Sequence, residues 1–432
     1  MKPSVAQLRR PRRHRGSIHV LVLGIGLLLS VTGITMLAAT QISTRTSAGA
    51  DDAAETAVLA ESAVEYALAR LKANANWRTT YTNNVETAQV PFGQGTISFK
   101  LIDEADGNLS NNTTDAVRVY GIGRVRKATR VYSMKCGPLG LSSLTVPMSL
   151  GGLVTLGAAS FPGSGTISSN GSINCTNTSL GVMNLEAGGE ITLLATTGTG
   201  TRRFPVPAKE MPNAATVFDH YVANGTRMTG IPVSTGVLQV TNVLVSPTNN
   251  PFGGGTNSKG IYYVDCGGAS VQVSAVRIVG TMVFRNAGTV TLQTKMNLEP
   301  AVLGYPVLMV QGDLAWKTNS TSLADVVSPP LNFNPPGLPY PYNFGQGGGV
   351  DNTTFTDNYP TQIRGLMYIS GTLSGNSNVI LDQGVVVSPG GWAPTGSVNL
   401  TYDDLYYLNP APGFAGATPV PMRGSWRWEP SP

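Results

Sequence analysis

The chain is poor in charge and nearly devoid of histidine. Asp, Glu, Lys and Arg make up 12% of its 432 residues, about half the usual share in a soluble domain. Beyond His19 the only histidine is His220, which excludes zinc sites and Ser-His-Asp triads built on imidazole. Cysteine occurs at Cys136, Cys175 and Cys266 alone. An odd count forbids a fully paired framework, although one bridge could form in an oxidising compartment. None lies in a CxxC pattern or beside a histidine, so buried thiols are the plain reading. Gly121-Ile122-Gly123 lacks the third glycine of a dinucleotide fingerprint and sits between strand-like segments. The formal charge of +5 is also misleading. Lys2, Arg9, Arg10, Arg12, Arg13 and Arg15 stand in residues 1–16 without an acid, leaving 23 basic and 24 acidic groups elsewhere. A near-neutral body has no electrostatic footprint for nucleic acid, and no such partner is expected.

What the chain does have is one long apolar run. No Asp, Glu, Lys or Arg occurs from Gly16 to Thr44. As a helix rising about 1.5 Å per residue, this run can cross a hydrocarbon core of roughly 30 Å while satisfying its own backbone. Ile18, Val20, Leu21, Leu23, Leu27, Leu28, Leu29, Ile34 and Leu37 form the expected anchor in membrane lipid. The cationic cluster on one side only predicts a cytoplasmic N-terminus and an exported remainder, a single pass through a bacterial cytoplasmic membrane. A cleaved secretory signal would have a shorter apolar region followed by a small-residue cut site. A buried helix of a soluble protein is disfavoured by the basic residues before it. A plain anchor predicts nearly the same topology. Arg13-His14-Arg15-Gly16, set directly against the apolar run, resembles the leader of type IV prepilins and type II secretion pseudopilins. The resemblance implies cutting by a prepilin peptidase between Gly16 and Ser17, and packing of the mature helix against other pilin-like subunits. The family's glutamate at the fifth mature position is here Leu21, a departure shared by some minor members.

Downstream, Ala53, Ala57, Ala60, Val64, Ala67, Leu68 and Leu71 recur at steps of three and four. They predict an amphipathic helix continuing the membrane helix as one rod, with Ala57, Ala60, Val64, Leu68 and Leu71 as its packing face. Residues 79–137 then read as a small antiparallel meander, with alternation at Thr96–Leu101 and a strand pair at Val117–Gly123 and Ala128–Met134. A long helix followed by such a meander is similar to a pilin head. From Pro138 onward, short apolar segments recur. Leu153, Ser172 and Ile191 begin segments 19 residues apart; Val271 and Val290 are 19 apart, Tyr263 and Val283 are 20, and Met367 and Val386 are 19. Brief strands at that period predict a single-stranded parallel β-helix with Gly and Asn at its corners, and a β-sandwich is the alternative. The expected fold is therefore α+β. Residues 1–16 form a basic leader, 17–44 the membrane helix, 45–78 the amphipathic helix and 79–137 the meander. The solenoid spans 138–402, with irregular insertions at 200–232 and 318–360, and 403–432 form a tail across the last coil.

Solenoids of this type can host polysaccharide lyases and hydrolases, which need converging carboxylates and a basic partner. The candidates are Asp265, Asp313, Asp382, Asp403 and Asp404, with Arg277, Arg285 and Arg364. Structural ion pairs are the plainer reading, for Asp265 with Arg285 in particular. Asp103-Glu104-Ala105-Asp106-Gly107 fails the twelve-residue calcium-loop pattern and reads as a turn. The Asn-x-Ser/Thr matches read as polar turns. Tyr340, Tyr342, Phe344, Trp392 and Trp426 could stack on sugar rings of a polysaccharide, although packing over the solenoid is the simpler role. The expectation is a non-enzymatic, structural or adhesive minor pilin-like or pseudopilin-like surface protein with no cofactor and no metal. The alternative is a membrane-tethered carbohydrate-active enzyme or polysaccharide-binding module.

Overall fold

The computed structural model describes residues 16–112, 114–338, 342, 353–375 and 378–430. It is a long apolar helix followed by a small antiparallel sheet and a large, nearly closed parallel sheet. The helix α1 (Gly16–Ala73) runs unbroken for 58 residues, about 87 Å at 1.5 Å per residue. It stops where Asn74 and Asn76 replace apolar residues, and a single turn, α2 (Trp77–Thr80), follows and buries Trp77.

The small sheet is antiparallel: β1 (Val90–Phe92), β2 (Gly95–Asp103), β3 (Val117–Val125) and β4 (Ala128–Gly140) pair in that order. Its inner face carries Phe99, Leu101, Val117, Val119, Met134 and Cys136 against Val64, Ala67, Leu68 and Leu71 of α1. Gly121 and Gly123 lie where the helix crosses β3. A Cβ on Gly121 would meet the Ala60 carbonyl oxygen at 2.4 Å, and one on Gly123 the Thr56 carbonyl oxygen at 2.5 Å. The two glycines thus let the helix backbone rest on the strand.

Beyond Gly140 the chain winds into three stacked parallel ladders. Met148, Ile167 and Leu185 are successive partners in the first, and Val154, Ile173 and Ile191 in the second. Second and third ladders meet inside single long strands such as Val271–Val279 and Thr289–Glu299. The expected partners Val271 with Val290, Tyr263 with Val283 and Met367 with Val386 are in register. The step from Ile173 to Ile191 is 18 residues, one fewer than the sequence spacing suggests. Valine, isoleucine and leucine from all three ladders fill one interior, the ladder packing that a short repeat produces. The corner between the second and third ladders is held by Ala158, Asn177, Ala195, Asn242, Ala275 and Thr294, all at positive φ near 50–60°. Glycine and asparagine are expected at such corners; Asn177 and Asn242 meet that expectation, whereas alanine and threonine hold the other four positions. Ladder bonds on both sides impose the left-handed turn even on residues with a Cβ, a conformation costing such residues about 1–2 kcal/mol each.

The coils do not stack in sequence order. The final coil, carrying Val379–Ser388 and Trp392–Pro394, pairs with the first, through Val386 with Met148 and Trp392 with Val154. The winding starts in the middle of the stack and runs through Asn184–Ala187 and Ile191–Leu194 to one end. It then crosses to the other end and returns. Within residues 200–232, Arg202–Arg203 and Thr226–Arg227 still pair with the first ladder, and the residues between them make the crossing. They contain α3 (Ala214–Ala223), which lies on the outer side of the first ladder with Val217, Phe218 and Tyr221 against Ile261, Val283 and Tyr368. The tail also departs from expectation, since the last coil has no free face to cover. After α4 (Leu405–Leu408), strands Ala415–Pro421 and Arg427–Glu429 both pair with β4. At the crossing end of the stack Leu193 and Leu194 are exposed, and among the described residues no strand pairs the outer edge of Ile191–Leu194.

Described parts of the excursion at 319–361 cover the outer side of the third ladder, with Leu323, Phe333, Leu338 and Tyr359 on Leu244 and Val279. Their pin is Arg277, fully buried. Its guanidinium donates to the Phe333 carbonyl (2.7 Å), Asn334 Oδ1 (2.9 Å) and Glu299 Oε1 (2.6 Å), and stands over the rings of Tyr342 and Tyr359. Replacing Arg277 with Ala strands Glu299 and two acceptors, so a loss of about 3–5 kcal/mol is expected, with earlier proteolysis in 319–361 during a limited digest. Gly121→Val is expected to cost at least 1–3 kcal/mol by overpacking, whereas Gly157→Ala, with nothing within 4 Å of its new Cβ, leaves the thermal midpoint in detergent unchanged.

Candidate functional site

The feature without an intramolecular explanation is the first half of α1. Every residue from Ile18 to Thr46 is exposed, and Leu23, Ile34 and Met36 show 73%, 71% and 75% of their surface. The sequence-expected anchor residues all fall in this stretch. By length and composition it is the one described helix able to cross a membrane. Its few hydroxyls bond back to the helix: Ser30 to the Gly26 carbonyl (2.8 Å), Thr32 to Leu28 (2.9 Å) and Thr40 to Met36 (2.8 Å). A segment whose polar groups are satisfied internally loses little in leaving water. Gly16 opens the helix and Ser17 follows in its first turn; the basic leader lies outside the described residues.

The second half is held by the protein itself. Of the packing-face residues read from the sequence, Ala60, Val64, Leu68 and Leu71 are buried and Ala57 is half-buried. The face turns slightly from the expected one and also buries Thr56, Leu59, Ala63 and Ala67. Thr56 escaped the sequence reading because it is polar; its hydroxyl bonds to the Asp52 carbonyl at 2.7 Å, which frees the methyl side for packing. Val58, Glu61 and Glu65 face outward. Asp52 reaches Arg126 of the β3–β4 turn at 3.0 Å.

A second cluster lies in the loop between β2 and β3. Asp103, Asp106 and Asp115 each bring one carboxylate oxygen within 4.8 Å of the others. Burial raises the Asp115 carboxyl above its ordinary range, and the charges of Asp103 and Asp106 add to that rise. Arg78 of α2 donates to the carbonyls of Leu109 (3.1 Å) and Asp115 (2.5 Å). In the sequence the first half of this group, Asp103 to Gly107, reads as a turn. Asp115 escaped because it lies nine residues beyond Asp106.

The acidic candidates on the wound sheet have local partners. Asp265 accepts from Asn286 (3.1 Å), and although its strand neighbour is Arg285, that guanidinium pairs with Asp219 of α3 at 3.8 Å. Asp313 accepts from the Thr372 amide and hydroxyl. Asp382 pairs with Arg364 at 3.6 Å and accepts from Thr401. Asp403 accepts from the Leu405 amide, and Asp404 precedes α4. These carboxylates are spread over three ladders and the tail. Of the aromatics, Trp392 is buried in the interior, Tyr342 packs on Tyr359, and Trp426 leans on Tyr132; Tyr340 and Phe344 lie outside the described residues. All three cysteines are buried and unpaired. Burial pushes the thiols of Cys136 and Cys266 up to about 12 and that of Cys175 up to about 11, far from the thiolate form that reacts.

No family model and no curated protein matches the chain. Among solved structures it is similar to the competence-associated pilin ComZ from Thermus thermophilus, at 9% identity over 88% of this chain and 97% of that one, with a TM-score of 0.27.

Proposed function

We propose that this protein is a minor pilin-like or pseudopilin-like component of a bacterial surface or secretion assembly, with a structural or adhesive, non-enzymatic role. The observation that carries the reading is the division of α1. One unbroken helix has an apolar half exposed on every side and a lower half clasped by an antiparallel sheet. An apolar rod of that length is stable only in lipid or against other apolar helices. Before assembly, the exposed half spans the cytoplasmic membrane with the basic leader inside. After a prepilin peptidase cuts between Gly16 and Ser17, it leaves the bilayer to pack against the helices of like subunits. The wound parallel sheet, read here as a parallel β-helix, is then carried outside as the displayed domain. Local engagement of Asp265, Asp313 and Asp382 supports a non-enzymatic role for that domain.

Sequencing of the mature N-terminus after co-expression with a prepilin peptidase is expected to return Ser17. Gly16→Leu is expected to leave the full-length chain in the membrane fraction. A wild-type chain that keeps Met1 in the presence of active peptidase would reduce the protein to a simple anchored display module.

A further inference from the structure

We propose that the crossing end of the parallel stack is a docking site for an extended segment of another protein, one that adds a strand to Ile191–Leu194 and sets a carboxylate against Arg202. The last coil exposes what the coil beneath it covers. Ile191 and Leu193 stand in register with Ile173 and Cys175, which are 0% and 1% exposed. Yet Ile191 is half-buried and Leu193 is 46% exposed. Leu193 therefore points into the interior through an open end, and one further strand would bury it as the last coil buries Cys175.

Exposed sheet edges are normally blunted by charge, proline or a covering segment. From Ile191 to Thr201 there is no Asp, Glu, Lys, Arg or Pro. The crossing segment follows the first ladder instead, with the Val206 amide on the Ala187 carbonyl at 2.9 Å. The opposite end of the stack is closed. Val233–Ser234 pairs with Val237–Leu238, and Met228 and Phe252 fill the interior there. Strand addition to a free edge draws affinity from the backbone and specificity from the side chains it meets.

Here the selecting side chain is Arg202. It lies in register with the buried Leu185, so it is directed over the same interior. Its Nη1 donates to the carbonyls of Met183 (3.0 Å), Gly200 (2.6 Å) and Thr201 (3.0 Å). Its Nε is buried without a partner, and among the described residues no carboxylate pairs with it. The neighbouring Arg203, by contrast, holds Glu186 at 3.0 Å. A carboxylate is the acceptor that a planar guanidinium binds best. A second copy turned onto this end would present another Arg202 instead. The occupant is thus an extended segment with apolar residues alternating around an Asp or Glu. The site uses no part of α1, so it stands apart from how the apolar half is processed or assembled.

The test uses the full chain in detergent micelles and a fluorescent peptide of alternating valine and threonine with one central aspartate, followed by anisotropy. Saturable binding is expected, weakened roughly tenfold or more when alternate amides of the peptide are N-methylated, and weakened as much in Leu193→Asp. Leu303→Asp, changed at an exposed residue between Thr289–Glu299 and Pro306–Val310, binds as the parent does. Arg202→Glu should turn the preference from the aspartate peptide to its lysine counterpart, a reversal that a merely loosened end does not give. Absence of saturable binding up to about 1 mM, equal binding of the N-methylated peptide, or undiminished binding in Leu193→Asp would overturn the proposal. So would a mass that doubles with concentration in the parent but not in Leu193→Asp, which would make a second copy the occupant.

Discussion

The small antiparallel sheet is the joint on which the architecture depends. On one face it grips α1, through Gly121 and Gly123 and a buried apolar stripe. Along β4 it also receives the two last strands of the chain, Ala415–Pro421 and Arg427–Glu429. Everything between Gly140 and Ala415 is therefore one excursion that leaves the sheet and returns to it. An excursion with both ends tied to one strand cannot be a simple column with its start at one end and its finish at the other. Placing the first and last coils together, with Met148 beside Val386, resolves the constraint.

Low charge follows from the same arrangement. Strands of the first ladder are covered inside by the common core and outside by α3 and the segment around Phe414, so Thr281–Arg285 and Pro306–Val310 are apolar almost throughout. Continuous apolar runs are what a sheet buried on both faces requires. Where charge is buried it has a specific task, as Arg277 does beneath Phe333 and Tyr359.

The rod and most of its buried face were legible in the sequence, because a helix displays its period within a few turns. The coil period was legible for Val271 with Val290 and Met367 with Val386. Which coil follows which was not. Every pair of coils offers similar short apolar segments, so no local pattern distinguishes Val386 beside Met148 from Val386 at a free end. The tail was misplaced for that reason. Gly121 and Gly123 could be seen but not interpreted, since their role depends on the Ala60 and Thr56 carbonyls, some 60 residues earlier. Asp115 joins Asp103 only after β2 and β3 have paired.

The seam between the first and last coils also dictates an order of events during synthesis. The three coils that leave the ribosome first, from Met148 to Arg203, present one flank that nothing can close until residues near 379–400 emerge. Contacts so distant along a chain form slowly, and open strand edges are sticky while they wait. A nascent chain stalled anywhere before Trp392 would thus carry an unshielded flank, making delayed closure rather than weak packing the chief hazard in the life of this molecule.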